Sequence, residues 1–244
     1  MSGYLFAAAI ALVAALYSAV GQAGGTGYVA LMSLAGFAPA IMKPSALALN
    51  ILVSAIGTAR FAKAGMLTWR SCYPFAVLGA PFSVFGGATH LDPSLYRPVV
   101  GVLMMAAAVP TLRGRYRPDD PIPHDPPFLP ALITGAGIGF ASGVTGVGGG
   151  IFLAPLILAM RWVQVRQAAA ISVVFNLLNS CAALMGSWAT LSLLPSELPM
   201  WLLAVAAGGF AGSWLAVQHL PVLILRWLLT ALLVVAGLRM LIAA

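Results

Sequence analysis

Gly21-Gln22-Ala23-Gly24-Gly25-Thr26-Gly27 and Gly143-Val144-Thr145-Gly146-Val147-Gly148-Gly149-Gly150 are two glycine clusters set inside apolar stretches that otherwise read as membrane helices. In hydrocarbon every backbone N–H and C=O needs a partner, so an interrupted helix survives only where it is buried in protein or lines a cavity. Breaks at corresponding places in two halves of a chain point to a binding site between the halves. The organisation of the molecule is therefore read outward from these two segments.

The flanking composition fixes the solvent. The chain has 244 residues, of which 61% are hydrophobic and 7% charged, with a mean hydropathy of +1.01. A soluble domain carries roughly 25% charged residues. The fold class expected is all-α: a polytopic integral membrane protein. Apolar runs occur near 5–35, 45–59, 73–88, 98–112, 128–160, 168–189, 200–217 and 223–243, about eight helical elements. Met1–Tyr4 has no basic segment, so Leu5 onward is read as a retained first helix and not as a signal peptide.

The polar stretch Arg113–Pro127 is rich in proline and charge, and reads as a linker. It divides the chain into repeat 1 (residues 1–112), a cytoplasmic linker (113–127) and repeat 2 (128–244). A shift of 123 positions lays Gly25–Gly27 on Gly148–Gly150 and Lys43 on Arg166, and a shift of 129 lays His90-Leu91 on His219-Leu220 and Arg97 on Arg226. Ordered matches along both halves predict a duplication of four elements, the first of each broken at glycine.

Two topologies fit. If all eight elements cross the membrane, the halves share one orientation, with seven bases on one face and five on the other. If each broken element is a re-entrant hairpin, the halves are inverted. The distribution then becomes nine (Arg60, Lys63, Arg70, Arg113, Arg115, Arg117, Arg161, Arg166, Arg226) against three (Lys43, Arg97, Arg239). The positive-inside rule favours the second. Length favours the first, since Leu5–Val20 would reach about 24 Å as a helix. Both place the linker in the cytoplasm, in the inner membrane of a bacterial-type cell; the hairpin arrangement, with three crossings before the linker, puts both termini outside.

The net charge of +7 is spread singly between apolar runs, a topology signal and not a nucleic-acid stripe. Cys72 and Cys181 have no metal-ligand spacing and read as packing residues. Gly135, Gly139 and Gly143, like Gly208 and Gly212, recur every four residues, which is helix-packing spacing. The denser sets Gly24, Gly25, Thr26, Gly27 and Gly146, Gly148, Gly149, Gly150 are candidates for substrate binding. N–H groups freed there, at half-helices expected to start at Tyr28 and Ile151, would form an anion-binding concavity.

Asn50 and Ser54 lie in the second element, and Ser172, Asn176, Asn179 and Ser180 share one face of the sixth, so either set can glue helices or ligate a solute. Lys43 and Arg166 read as interfacial, with an attraction for anions as the alternative. His90 and His219 read as helix-end residues. The acids Asp92, Asp119, Asp120, Asp125 and Glu197 all fall in loops or at helix ends, which disfavours a buried-carboxylate antiporter, a cation cage and an acidic pore. No cofactor or metal is expected, and no enzyme motif is present.

Gly146-Val147-Gly148-Gly149-Gly150-Ile151-Phe152-Leu153-Ala154-Pro155, Gln167-Ala168-Ala169-Ala170-Ile171-Ser172 and the duplicated layout resemble the sulfite exporter TauE/SafE family, also called the toluene sulfonate uptake permease family. The first half, with Gly21–Tyr28 and Lys43–Asn50, is similar to one branch of it. Thr26 replaces the middle glycine and Met32 stands where the second half has Pro155, so the two clefts need not be equivalent. The resemblance implies a secondary transporter of small anions such as sulfite, sulfonates, sulfoacetate or related organic acids, without an ATP-binding subunit. The expected motion is one repeat rocking against the other. A passive anion channel and a non-transporting assembly or sensor subunit are the alternatives. The expected partners are the small-anion substrate and the lipid bilayer, with no nucleic acid, and a homo-oligomer left open.

Overall fold

The computed structural model describes residues 3–19, 21–89, 91–112 and 126–218, with scattered positions between 227 and 242. Most of the linker, the histidines His90 and His219, Arg226, Arg239 and most of the last apolar run lie outside the described residues. Among the described residues every regular element is helical. In chain order these are α1 (Gly3–Ala19), α2 (Gly25–Leu34), α3 (Pro39–Lys63), α4 (Trp69–Ala88), α5 (Pro93–Leu112), α6 (Phe128–Thr145), α7 (Gly150–Ala159), α8 (Val165–Gly186), a 3₁₀ turn (Trp188–Leu193) and α9 (Leu198–Gln218).

Three stretches are long and apolar enough to cross a bilayer by themselves: Pro39–Lys63, Phe128–Thr145 and Arg166–Gly186. α3 begins at Pro39, upstream of the apolar run that starts at Ser45, because a proline at the first helical position suits its fixed φ and its missing N–H. Its Lys43 is accommodated inside the protein instead of ending the helix.

The exterior is apolar, and polar side chains are buried among the apolar ones of the core. Leu12, Phe85, Ile133, Phe140 and Leu203 are exposed, whereas Asn50, Ser54, Ser172, Asn176, Asn179 and Ser180 are buried. An apolar exterior with polar side chains turned toward protein is what a lipid solvent imposes.

Two glycine seams set the helix directions. A Cβ added at Gly135, Gly139 or Gly143 of α6 would meet the carbonyl oxygens of Phe75, Gly79 and Ser83 of α4 at 2.1, 2.2 and 2.4 Å. Added at Gly208 and Gly212 of α9, it would meet those of Ala11 and Ala15 of α1 at 2.1 and 2.0 Å. Only glycine permits such approach, and dispersion gained there is the chief attraction between helices in lipid. The paired numbers rise together, so α6 runs parallel to α4 and α9 parallel to α1. Gly57 against Val173, with Asn176 Nδ2 donating to Ser54 Oγ at 2.7 Å, makes α3 and α8 antiparallel. Gln167–Ser71, Phe175–Gly79 and Ala183–Gly87 make α4 and α8 parallel. Gly101 faces Leu241 while Gly237 faces Met105, so α5 is antiparallel to the chain's last helical residues.

Each broken element is a hairpin. Tyr17 and Thr26 hydroxyls bond at 2.5 Å near the tip, while Phe6 and Phe37 rings lie 5.7 Å apart at the open end. α2 therefore returns along α1. On the other side, Phe75 packs on Gly135 early in α6 and lies 6.1 Å from the ring of Trp162, just beyond α7. α7 thus returns toward the end at which α6 began. Val53 lies against Gly209 and Arg60 over Phe210, so α3 and α9 are parallel, α1 and α6 run in opposite directions, and the two hairpins open at opposite ends and meet at their tips.

Candidate functional site

The tips are built by glycines that adopt left-handed φ. In the first, Gly21 has φ +73° and Gly24 +99°; in the second, Gly146 has +72° and Gly148 +85°. Residues with a Cβ rarely hold this conformation, so these positions turn the chain sharply enough to begin a new helix. Gly24 and Gly149 then cap α2 and α7.

The half-helices begin at Gly25 and Gly150, earlier than Tyr28 and Ile151. Gly25, Thr26 and Gly27 are thus the first turn of α2 and not unwound backbone. Their N–H groups still have no intrahelical acceptor, as in any first turn.

What demands glycine here is proximity between the hairpins. A Cβ at Gly25 would lie 1.8 Å from Val147 O and 2.4 Å from Asn50 Nδ2. One at Gly148 would lie 2.0 Å from Asn176 Oδ1, and one at Gly150 2.8 Å from Ser172 O and 2.9 Å from Gln22 Oε1. Asn50 Nδ2 donates to Val147 O at 3.2 Å, so an α3 side chain holds the tip of the second hairpin. Gly150 N–H points to Asn176 Oδ1 at 3.5 Å.

Between the tips is a cavity of about 10 Å³ lined by Tyr17, Gln22, Gly24, Thr26, Val147 and Asn176 among others. That volume holds about one water. Several buried polar atoms near it have no partner among the described residues: Gln22 Nε2, Asn50 Oδ1 and Ser172 Oγ. An unmet buried polar group costs about 1–3 kcal/mol, so atoms of this kind mark a place for water or solute. The first turns of α2 and α7 add positive dipole ends at the same spot, without a carboxylate among the lining residues.

The structure gathers Gly24, Gly25, Thr26, Asn50, Gly148, Gly150 and Asn176 at this point, and leaves others aside. Thr26 spends its hydroxyl on Tyr17. Gly27 packs on Val13 and Tyr17, and Gly146 on the backbone of Lys43. Asn179 stands behind Gly149 with both amide atoms unpartnered. Ser172 offers its carbonyl to the neighbourhood of Gly150.

Lys43 is 8% exposed. Its ammonium donates to Gly86 O at 3.2 Å, Gly87 O at 2.7 Å and Thr89 O at 2.9 Å, capping the carbonyl end of α4. Arg166 is exposed on the first turn of α8.

Sequence reasoning passed over Gln22, Tyr17, Tyr28 and Tyr96. Gln22 is 4% exposed inside the quoted first cluster; a lone amide within a glycine break was its signal. Tyr28 donates to Ala23 O at 2.7 Å and Tyr96 to Thr145 O, tying one phenol to each tip. Both cysteines are free, and no group of metal-ligating side chains occurs among the described residues.

Broken helices meeting tip to tip inside a helical bundle with an apolar exterior define a membrane transporter. Residues 6–240 match the family model for the sulfite exporter TauE/SafE, and the chain belongs to that family. It is 50% identical over 238 residues, 96% of each chain, to a "Probable membrane transporter protein" of Sinorhizobium fredii. It is also 30% identical over 123 residues, 49% of this chain and 45% of the relative, to a "Probable membrane transporter protein" of Methanocaldococcus jannaschii. No solved structure matches significantly.

Proposed function

We propose that this protein is a secondary transporter of small anions, such as sulfite, sulfonates or related organic acids, in the inner membrane of a bacterial cell. The observation that carries the reading is the convergence of two half-helix N-termini and the unpartnered Gln22 amide on one cavity with no acid in its lining. Such an arrangement offers N–H donors and positive potential, the recognition chemistry of an anion. Gly24, Gly25, Gly148, Gly150, Asn50, Asn176 and Gln22 would form the contact set, with Ser172 close by.

Residues 1–112 and 128–244 are read as inverted repeats joined by a cytoplasmic linker. The packing supports this. Exchanging α1 with α6, α3 with α8 and α4 with α9 turns the α1–α9 seam into the α6–α4 seam and maps α3–α8 onto itself. Equivalent helices α3 and α8 run antiparallel, as inversion requires. Hairpins in place of crossings give the nine-to-three distribution of bases, which supports a cytoplasmic linker and outside termini.

The cavity of about 10 Å³ does not admit a sulfite ion, with its sulfur and three oxygens. A sealed centre supports a transporter that opens to one side at a time over a standing anion pore. Substrate would enter when the tips separate on one side.

Flux of radiolabelled sulfite and of a short alkylsulfonate into proteoliposomes tests the reading. Saturable uptake that Gly149→Leu abolishes is the expected result, because a side chain there runs into Phe175 and Asn179. Single-channel currents would establish a pore. Absence of flux and binding for every small anion would leave an assembly or sensor subunit.

A further inference from the structure

Away from the tips, a cleft of about 550 Å³ opens between the ends of α3 and α9, lined by Ile56, Arg60, Lys63, Phe210 and Trp214. Arg60 is half-buried with its guanidinium carbon 4.1 Å from the Phe210 ring centroid, and Lys63 is exposed. Among the described residues neither cation has a carboxylate partner. The described acids are Asp92, beside the start of α5, and Glu197, just before α9. Glu197 stands 17 residues from Trp214, about 25 Å along the helix.

The wall beyond the cations is a continuous apolar track. Leu203, Phe210 and Trp214 lie seven and four residues apart, on one face of α9, with exposures of 75%, 61% and 47%. The track spans about 16 Å, close to half of a hydrocarbon core about 30 Å thick. Trp at its charged end matches the interfacial position that this residue favours.

We propose that this cleft is a binding site for an anionic phospholipid, with the headgroup phosphate on Arg60 and Lys63 and one acyl chain along Trp214, Phe210 and Leu203. Charge complementarity identifies the headgroup class, since an anionic headgroup brings net negative charge to two cations, whereas a zwitterionic one brings an ammonium of its own and no net charge. The apolar track selects a lipid over a free phosphate, which would cover none of it. Juxtamembrane cations attract anionic lipids by about 1 kcal/mol each, so two account for about a thirtyfold preference. The site is independent of the anion path between the tips, and survives if that reading fails.

The test is native mass spectrometry of the full chain released from mixed micelles containing phosphatidylglycerol and phosphatidylcholine. Wild type should retain phosphatidylglycerol at least tenfold over phosphatidylcholine, and the double variant Arg60→Gln/Lys63→Gln should lose that preference. Arg70→Gln, outside the cleft lining, should keep it. Equal retention of the two lipids by wild type, or an unchanged preference in the double variant, overturns the proposal. Displacement of phosphatidylglycerol by equimolar inorganic phosphate overturns the lipid assignment as well. Should the double variant not fold, brominated phosphatidylglycerol decides: it should quench wild-type fluorescence more than Trp214→Phe fluorescence. Identical quenching counts against the site.

Discussion

Replacing Gly25 by alanine adds one carbon atom at the point where the hairpins touch. Gly25 is helical and its φ is not left-handed, so alanine meets no objection from its own backbone. The objection comes from across the cavity, where the new Cβ would stand 1.8 Å from Val147 O and 2.4 Å from Asn50 Nδ2. An ordinary C···O contact is about 3.3 Å or more, so the tips must part by about 1.5 Å. Overpacking of this kind costs about 1–3 kcal/mol. Losing the Asn50–Val147 bond and leaving that carbonyl unmet costs about 1–3 kcal/mol more. The closed arrangement is then disfavoured by about 2–6 kcal/mol, at least about thirtyfold in population. If transport passes through this state, sulfite uptake in proteoliposomes should fall by at least that factor while helical content stays unchanged. Gly137→Ala is the control, since a Cβ there meets nothing within 4 Å, and its uptake should match wild type. Uptake by Gly25→Ala at half the wild-type rate or better would refute the reasoning from tip contact to transport.

Gly139→Leu should disrupt the α4–α6 seam, whose nearest carbonyl would be 2.2 Å from the Cβ, and lower the detergent melting temperature well below that of Gly137→Leu. Lys43→Met leaves three carbonyls of the α4 end without their cation and should cost about 1.5–3 kcal/mol in denaturant titrations, whereas Arg166→Gln should change stability little. Asn179→Leu removes two unpartnered buried polar atoms, so stability should hold or rise. A loss of uptake without a loss of stability in that variant would make Asn179 a substrate contact. Cysteines at Gly65 and Arg161 should react with an impermeant maleimide from the same side of the membrane; labelling from opposite sides would restore eight crossings and remove the hairpins.

The apolar runs, the two breaks and the inward polar stripe on α8 were legible because each is a local property of composition or spacing. Less legible was what the glycines are for. Gly25 and Gly27 look like helix breakers in sequence, yet both sit in a helix, and their missing Cβ serves contacts with Val147 and Val13 on other elements. Lys43 shows the same limit. Its partners are backbone carbonyls at the far end of α4, which carry no residue-type signature, so a lysine beside a proline read as interfacial. Length pointed the other way: Leu5–Val20 is nearly long enough to cross, and the return of the chain shows in long-range contacts such as Tyr17–Thr26 and Phe6–Phe37. Gln22 was hidden by its neighbours, a single amide amid glycines whose burial depends on the opposite hairpin.

The glycine seams decide which parts of the chain can travel together. α1 is locked to α9 and α6 to α4, so the long arm of each hairpin is fastened to a helix from the opposite half of the sequence. The seams thus join helices far apart in sequence, α1 with α9 and α4 with α6, and α3 packs on α8 between them. Residues 1–112 expressed without 128–244 would leave both α1 and α4 without a seam partner.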